Sequence, residues 1–161
     1  MTAVTWQNGE IPDCILTPFR KFADQRGWLA EVFRQDETPE AVFPAMGYLS
    51  QTLPDVVRGP HEHVDQTDLF IFFDGLFEVR LWDYRPNSPT FGIRQVLELG
   101  QDTPATLFVP PGVVHGYRNK SGRSALIFNC PNRLYAGWHK QEAVDEIRHE
   151  DEPDSPFQFA E

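Results

Sequence analysis

The stretch RGPHEHVDQTD (58–68) sets two of the chain's five histidines, His61 and His63, one residue apart, among Glu62, Asp65 and Asp68. A neutral imidazole accepts protons readily around neutrality, so one ring could act as a general base. Imidazoles and carboxylates together also make a ligand set for a divalent cation. A charged, solvated loop is the third reading, and HxH alone does not choose among the three. A second segment narrows the choice: Pro110-x-Gly112, then His115, then Asn119. In a strand, His61 and His63 project to the same face because side chains alternate. A facing strand can bring His115 to them, and Asp68 can complete the set from the neighbouring strand. Three imidazoles and a carboxylate suit Fe, Mn, Ni, Co or Zn, which makes His61, His63, Asp68 and His115 the candidate metal ligands.

Short apolar runs between turn signals supply the strands that such a site needs. YLSQTL (48–53), LFIFF (69–73), LFEVRLWDY (76–84), IRQVLEL (93–99), ATLFVP (105–110), VHGYRN (114–119) and ALIFNC (125–130) read as strands, as does WLAEVFR (28–34). Asp74-Gly75 between two of them predicts a tight hairpin. Along 76–84, Phe77, Val79 and Leu81 alternate with Glu78, Arg80 and Trp82, a period of two with one apolar face. Phe70, Phe72, Phe77 and Trp82 are expected in the core or at a subunit contact. The charged tail (141–157) reads as mostly surface with one short helical turn, with part of it able to fold over the pocket, and His139 and His149 as exposed. Such a run of short strands predicts an all-β sandwich or barrel.

At 161 residues the chain is the size of one domain, and its 14 prolines and 11 glycines argue against long helices. A formal charge of −10 argues against a bulk nucleic-acid binder, which needs basic surface for phosphates. It leaves room for one anionic small molecule held by local arginines. No apolar run approaches the roughly 18 residues of a membrane span, and the N-terminus lacks a signal-peptide pattern. The expected compartment is the cytoplasm. Cys14 and Cys130 form no CxxC and are expected as core thiols.

The two histidine segments together resemble the two cupin motifs, with PxGxxHxxxN matched in full and Asp68 where cupins usually carry Glu. That likeness implies a cupin-type double-stranded β-helix, or jelly roll, as a single domain over 1–161, with short helical turns at the C-terminal end. A second likeness covers nearly the whole chain. FADQRGWLAEVFR (22–34), RGPH (58–61), DYRPNSPTFG (83–92), VPPGVVHGYRN (109–119) and EDEP (150–153) follow the order and spacing of the dTDP-4-dehydrorhamnose 3,5-epimerase family, which the chain resembles as a divergent member.

This resemblance implies a nucleotide-sugar substrate of the 4-keto-6-deoxyhexose type, a homodimer and no required cofactor. It implies that His61 is the general base acting beside the 4-keto group and that Arg58 contacts the diphosphate. Arg26 and Glu31 would help hold the nucleotide, in the family often across the dimer interface. His115 and Tyr117 would line the sugar pocket, with Gln66 among the substrate contacts, and Glu152 or Asp151 would orient His61.

Two departures from the family pattern matter. Asp68 falls where bifunctional members carry an enolate-stabilising lysine, and Phe128 where they carry a tyrosine general acid. Tyr135, seven residues on, is a candidate substitute or the match of the family's other pocket tyrosine. These losses predict one epimerisation or isomerisation rather than the double reaction. A bound divalent metal could replace the lysine's charge and polarise the 4-keto oxygen. Two other readings stay open: a metal-dependent cupin enzyme with a 3-His-1-carboxylate site, and a non-catalytic sugar-binding cupin.

Overall fold

The computed structural model describes residues 4–159, and these are almost wholly strand and loop. In chain order the strands are β1 (Gln7–Asn8), β2 (Ile15–Pro18), β3 (Phe22–Asp24), β4 (Gly27–Leu29), β5 (Tyr48–Thr52), β6 (Val57–Glu62), β7 (Asp68–Phe72), β8 (Leu76–Asp83), β9 (Ile93–Gly100), β10 (Ala105–Val109), β11 (Val113–Asn119), β12 (Ala125–Asn129) and β13 (Ile147–Arg148). Helix among the described residues is confined to 3-10 turns, two of them at Trp138–Lys140 and His149–Asp151, toward the C-terminal end as expected.

One sheet runs β1-β9-β8-β11-β6-β13 and the facing sheet β2-β10-β7-β12-β5, while β3 and β4 pair apart. From β5 to β8, and again from β9 to β13, successive strands alternate between the two sheets. That alternation is the double-stranded β-helix of a cupin jelly roll. The inward residues meet between the sheets: Phe70, Phe72, Leu107 and Ile127 from one, Phe77, Val79, Leu81 and Val113 from the other. Cys14 and Cys130 are buried free thiols, and burial, with Asp13 beside it, pushes the Cys14 thiol up to about 12.

The alternation overturns the hairpin expected at Asp74-Gly75. β7 pairs with β10 and β12, whereas β8 pairs with β9 and β11. The turn, with Gly75 at φ +58 in the left-handed region, carries the chain from one sheet to the other. Phe72 and Phe77 therefore meet across the core, with ring centroids 5.7 Å apart. A turn signal reports a chain reversal and says nothing about which strands then bond.

Two other expectations are corrected. In 28–34 only Trp28 and Leu29, the end of β4, are strand, and beyond them Arg34 gathers Glu31, Asp36 and Glu37 in exposed ion pairs instead of a ladder. The tail is also more than surface. β13 pairs with β6, and Phe157 and Phe159 bury against Trp82 on the outer face of β8. That cover explains why Arg80 and Trp82, on the face opposite the core, are 6% and 1% exposed. His149 is held inward, its Nε2 2.9 Å from Glu62 Oε1, while His139 is exposed as expected.

Candidate active site

His61, on β6, is the ladder partner of His115 on β11, and their rings meet edge-on with centroids 4.6 Å apart. This reverses the expected arrangement of the cluster. His115 comes from the adjacent strand of the same sheet, and Asp68, which opens β7, comes from the facing one. His63 lies one residue past β6, where its Nδ1 donates to the Asp145 carbonyl. The Asp145 carboxylate accepts from the backbone N–H groups of Val64, Asp65 and Gln66 at 2.7, 3.0 and 2.8 Å, which fixes the loop. The ligand-type atoms of His61, His63, Asp68 and His115 consequently all lie within 4.8 Å of one another.

The charges in this cluster are strongly coupled. Asp68 Oδ2 stands 3.1 Å from His63 Nε2 and 3.2 Å from His115 Nε2. Its Oδ1 accepts from Gln66 Nε2 at 3.0 Å and Asn129 Nδ2 at 2.9 Å. Burial alone would raise the Asp68 pKa, but the His115 and His63 imidazoles hold it well below the usual carboxylate range. For His63, burial disfavours the cation, and Asp68 outweighs burial, so its pKa rises. For His115, burial and then the neighbouring His61 prevail over Asp68 and lower it.

Two clefts meet over the cluster. The larger, about 920 Å³, is walled by His61, His63, Gln66, Tyr135, Trp138 and Glu146, among others. The smaller, about 360 Å³, takes in Arg58, Tyr117, Glu150 and Arg148. Tyr48, His61 and Glu146 border both. Arg58 is aimed by β5, its Nε donating to Thr52 Oγ1 at 3.1 Å and its Nη2 to the Gln51 carbonyl at 2.8 Å.

Several expected site residues stand elsewhere. His115, expected on the sugar-pocket wall, lies beneath the clefts at 3% exposure and lines neither. The carboxylates beside His61 Nδ1 are Glu146 at 3.7 Å and Glu150 at 3.9 Å, whereas Glu152 stands by His149 and Asp151 by Arg148. Partial burial raises the Glu150 pKa, but His61 beside it lowers it further, for a net fall. Arg26 pairs with Asp24 and Glu31 with Arg34, and neither lines the clefts of this chain. Phe128 packs on the outer face of its sheet, and the β12 residue facing the cluster is Asn129.

Sequence reasoning missed Tyr48, Asn129, Asp145, Glu146 and Glu150. Tyr48 and Asn129 sit in segments that read as plain strands. Asp145, Glu146 and Glu150 sit in a tail whose charge looked like solvation, and only the β13–β6 pairing brings them in.

A jelly roll whose facing sheets bring three histidines and a carboxylate to the floor of a cleft is a cupin-type protein. The chain belongs to the dTDP-4-dehydrorhamnose 3,5-epimerase family, whose sequence profile matches residues 8–153. It is 37% identical over 114 residues to the probable low-salt glycan biosynthesis epimerase Agl13 of Haloferax volcanii, covering 70% of this chain and 73% of that protein. It is 40% identical over 98 residues to the spore coat polysaccharide biosynthesis protein SpsL of Bacillus subtilis, covering 61% of this chain and 64% of that one, just under two thirds of its length. The crystal structure of a dTDP sugar isomerase from Desulfovibrio desulfuricans superimposes with a TM-score of 0.78 at 28% identity, over 90% of this chain and 89% of that one. The family is one of sugar epimerases, which are isomerases in the broad sense. No helix among the described residues is long and apolar enough to cross a membrane.

Proposed function

We propose that this chain epimerises a nucleotide-linked 4-keto-6-deoxyhexose at one carbon beside the ketone, with His61 as the base. The observation that carries this reading is the position of His61 where both clefts meet, with Glu146 and Glu150 on its Nδ1 side. Those carboxylates stand on one side of the ring, which leaves Nε2 to take the proton. The hydrogen next to a ketone is acidic because the resulting charge spreads onto the ketone oxygen. Arg58 and Arg148 put positive charge in the smaller cleft, where a diphosphate would sit. Tyr117, Gln66 and Tyr135 line the remaining walls as substrate contacts.

The missing lysine argues for one epimerisation rather than two, since loss of an oxyanion donor costs about two to three decades in rate. The test is deuterium uptake from D₂O into a dTDP-linked 4-keto-6-deoxyhexose, followed by NMR. One ring carbon should exchange and invert, and His61→Asn should abolish both. Exchange undiminished in His61→Asn, or absent from the wild type, would end the reading.

We further propose that His63, Asp68 and His115 hold a divalent cation beside His61, which lies within ligand reach of them but keeps its Nε2 lone pair for the proton. His115 Nδ1 donates to the Val113 carbonyl at 2.9 Å, which turns the lone pair of Nε2 toward Asp68 Oδ2. Neither of those two buried atoms has a hydrogen-bond partner among the described residues. Ligand bonds of about 2.0–2.2 Å subtend edges of about 3.0–3.5 Å, matching the separations of Asp68 Oδ2 from both Nε2 atoms. A cation there supplies the Lewis acidity that the family's lysine supplies as charge. Elemental analysis of tag-free protein should find about one metal per chain, lost in Asp68→Asn and His63→Ala. Metal-free protein with full exchange activity would exclude a metal role.

We also propose a homodimer in the cytoplasm. The free thiols agree with a reducing compartment. The β3–β4 hairpin exposes Phe22, Trp28 and Leu29 at 52%, 52% and 62% beside Arg26, a surface suited to carrying Arg26 and Glu31 to a second copy. Light scattering at working concentration tests the dimer, and a monomer with full activity would exclude it.

A further inference from the structure

Inverting a carbon takes two groups, one to remove a proton from one face and one to deliver a proton to the other. His61 is the first of these in the reading above, and the second must be a protonated side chain that reaches the same junction. Of the residues that border both clefts, Tyr48, His61 and Glu146, Tyr48 is the one with a hydroxyl. Its strand faces the right way: Tyr48, Ser50 and Thr52 alternate on the cleft side of β5, where Ser50 meets Tyr117 and Thr52 meets Arg58, while Leu49 points outward at 66% exposure.

We propose that Tyr48 is the proton donor of this enzyme, an assignment that rests on the epimerase reading. The phenol oxygen accepts from Asn129 Nδ2 at 2.9 Å, and the same amide nitrogen donates its other hydrogen to Asp68 Oδ1 at 2.9 Å. The Tyr48 oxygen is thereby held in place while its own hydrogen stays free to point into the cleft. Burial raises the phenol pKa, so the resting residue keeps its proton at neutral pH. The other two phenols that line the clefts are less well placed. Tyr117 is 5% exposed, bonded toward Ser50 and packed among core aromatics, and Tyr135, at 58% exposure against 43% for Tyr48, borders only the larger cleft.

The step balances without a co-reactant. His61 Nε2 takes the hydrogen as a proton, and the C–H electron pair becomes the carbon–carbon double bond of an enolate. The ketone then re-forms as the carbon takes the Tyr48 proton on its other face, leaving a phenolate. Water returns a proton to the phenolate as the imidazolium gives one up.

The test is Tyr48→Phe, which keeps the ring and should keep the melting temperature within a few degrees. It is assayed in D₂O on a dTDP-linked 4-keto-6-deoxyhexose, scoring exchange and configuration separately by NMR. The wild type should exchange and invert together. Tyr48→Phe should still exchange that hydrogen within a few-fold of the wild-type rate, while inversion falls by about 100-fold or more, giving deuterium with retained configuration. Inversion at the wild-type rate in Tyr48→Phe would overturn the assignment. So would joint loss of exchange and inversion in a folded variant, because the phenol would then serve abstraction. Uncoupling by Tyr135→Phe instead would transfer the role to Tyr135. A wild type without exchange would take down the epimerase reading itself, and this assignment with it.

Discussion

His61 and His115 are cross-strand partners whose rings touch edge-on, and the ladder beside them slips by one residue between His115 and Tyr117. Gly59 and Pro60 lie opposite that slip, with Gly59 at φ +79 in the left-handed region. A β-carbon built there would stand 2.7 Å from the His115 carbonyl oxygen. Close backbone approach thus sets how His61 lies over His115, and a side chain at 59 would push the two strands apart.

Gly59→Ala is therefore expected to cost about 1–3 kcal/mol through backbone strain and the clash. Exchange activity should drop further than the small unfolded fraction explains, because β6 shifts relative to β11. Urea denaturation alongside deuterium exchange checks both, and a variant with wild-type values for each would show that the slip does not position His61.

Away from the clefts, Asp83 at the end of β8 organises a separate buried charge. Its side chain is fully buried and accepts from Arg85 Nη2 at 2.7 Å, Ser88 Oγ at 2.5 Å and Thr90 Oγ1 at 2.6 Å. Burial raises its pKa, but the hydrogen bonds from Arg85, Ser88 and Thr90 hold it well below the usual carboxylate range. A depressed folded pKa gives stability that is present in full above the unfolded value of about 4 and is lost as pH falls toward the folded one. Asp83→Asn should accordingly cost about 3 kcal/mol at pH 7, and its deficit should narrow below about pH 4. Denaturation curves across that range test the sign, and a deficit that widened on acidification would refute it.

The jelly roll and its histidines were legible because their signals are local. Alternation along β8 and the PxGxxHxxxN spacing each lie within one strand or turn, and the core confirms both. Pairing is not local, so Asp74-Gly75 read as a hairpin although its flanking strands belong to different sheets. For the same reason the sequence put Asp68 beside β6 and His115 opposite, and the structure exchanges them. The tail misled for a second reason. Glu146, Glu150 and His149 are polar whether solvated or paired, and composition cannot separate the two states. Phe157 and Phe159 were the available clue, two aromatics in a charged stretch that would otherwise have no reason to carry them.

Those aromatics tie the stability of the tail to the chemistry of His61. Phe157 is 3% exposed and packs against Trp6, Trp82, Tyr84 and His149, with ring centroids 4.6 to 5.9 Å away. His149 in turn holds Glu62 at the end of β6 and opens the turn bearing Glu150, which lies between β13 and Phe157. Phe157→Ala should cost about 3–5 kcal/mol if β13 stays docked, and less if the tail peels away locally. Glu150→Gln should leave stability within about 0.5 kcal/mol, since its carboxylate is partly solvated. Both variants should slow exchange at the sugar carbon, because both weaken the negative charge next to His61 Nδ1. The effect should fall on kcat more than on KM, since Arg58 keeps its own anchors on β5. If Phe157→Ala destabilises the fold but exchanges at the wild-type rate at a temperature where it is folded, the tail is only a cover for Trp82. If Glu150→Gln is equally silent, Glu146 alone accompanies His61.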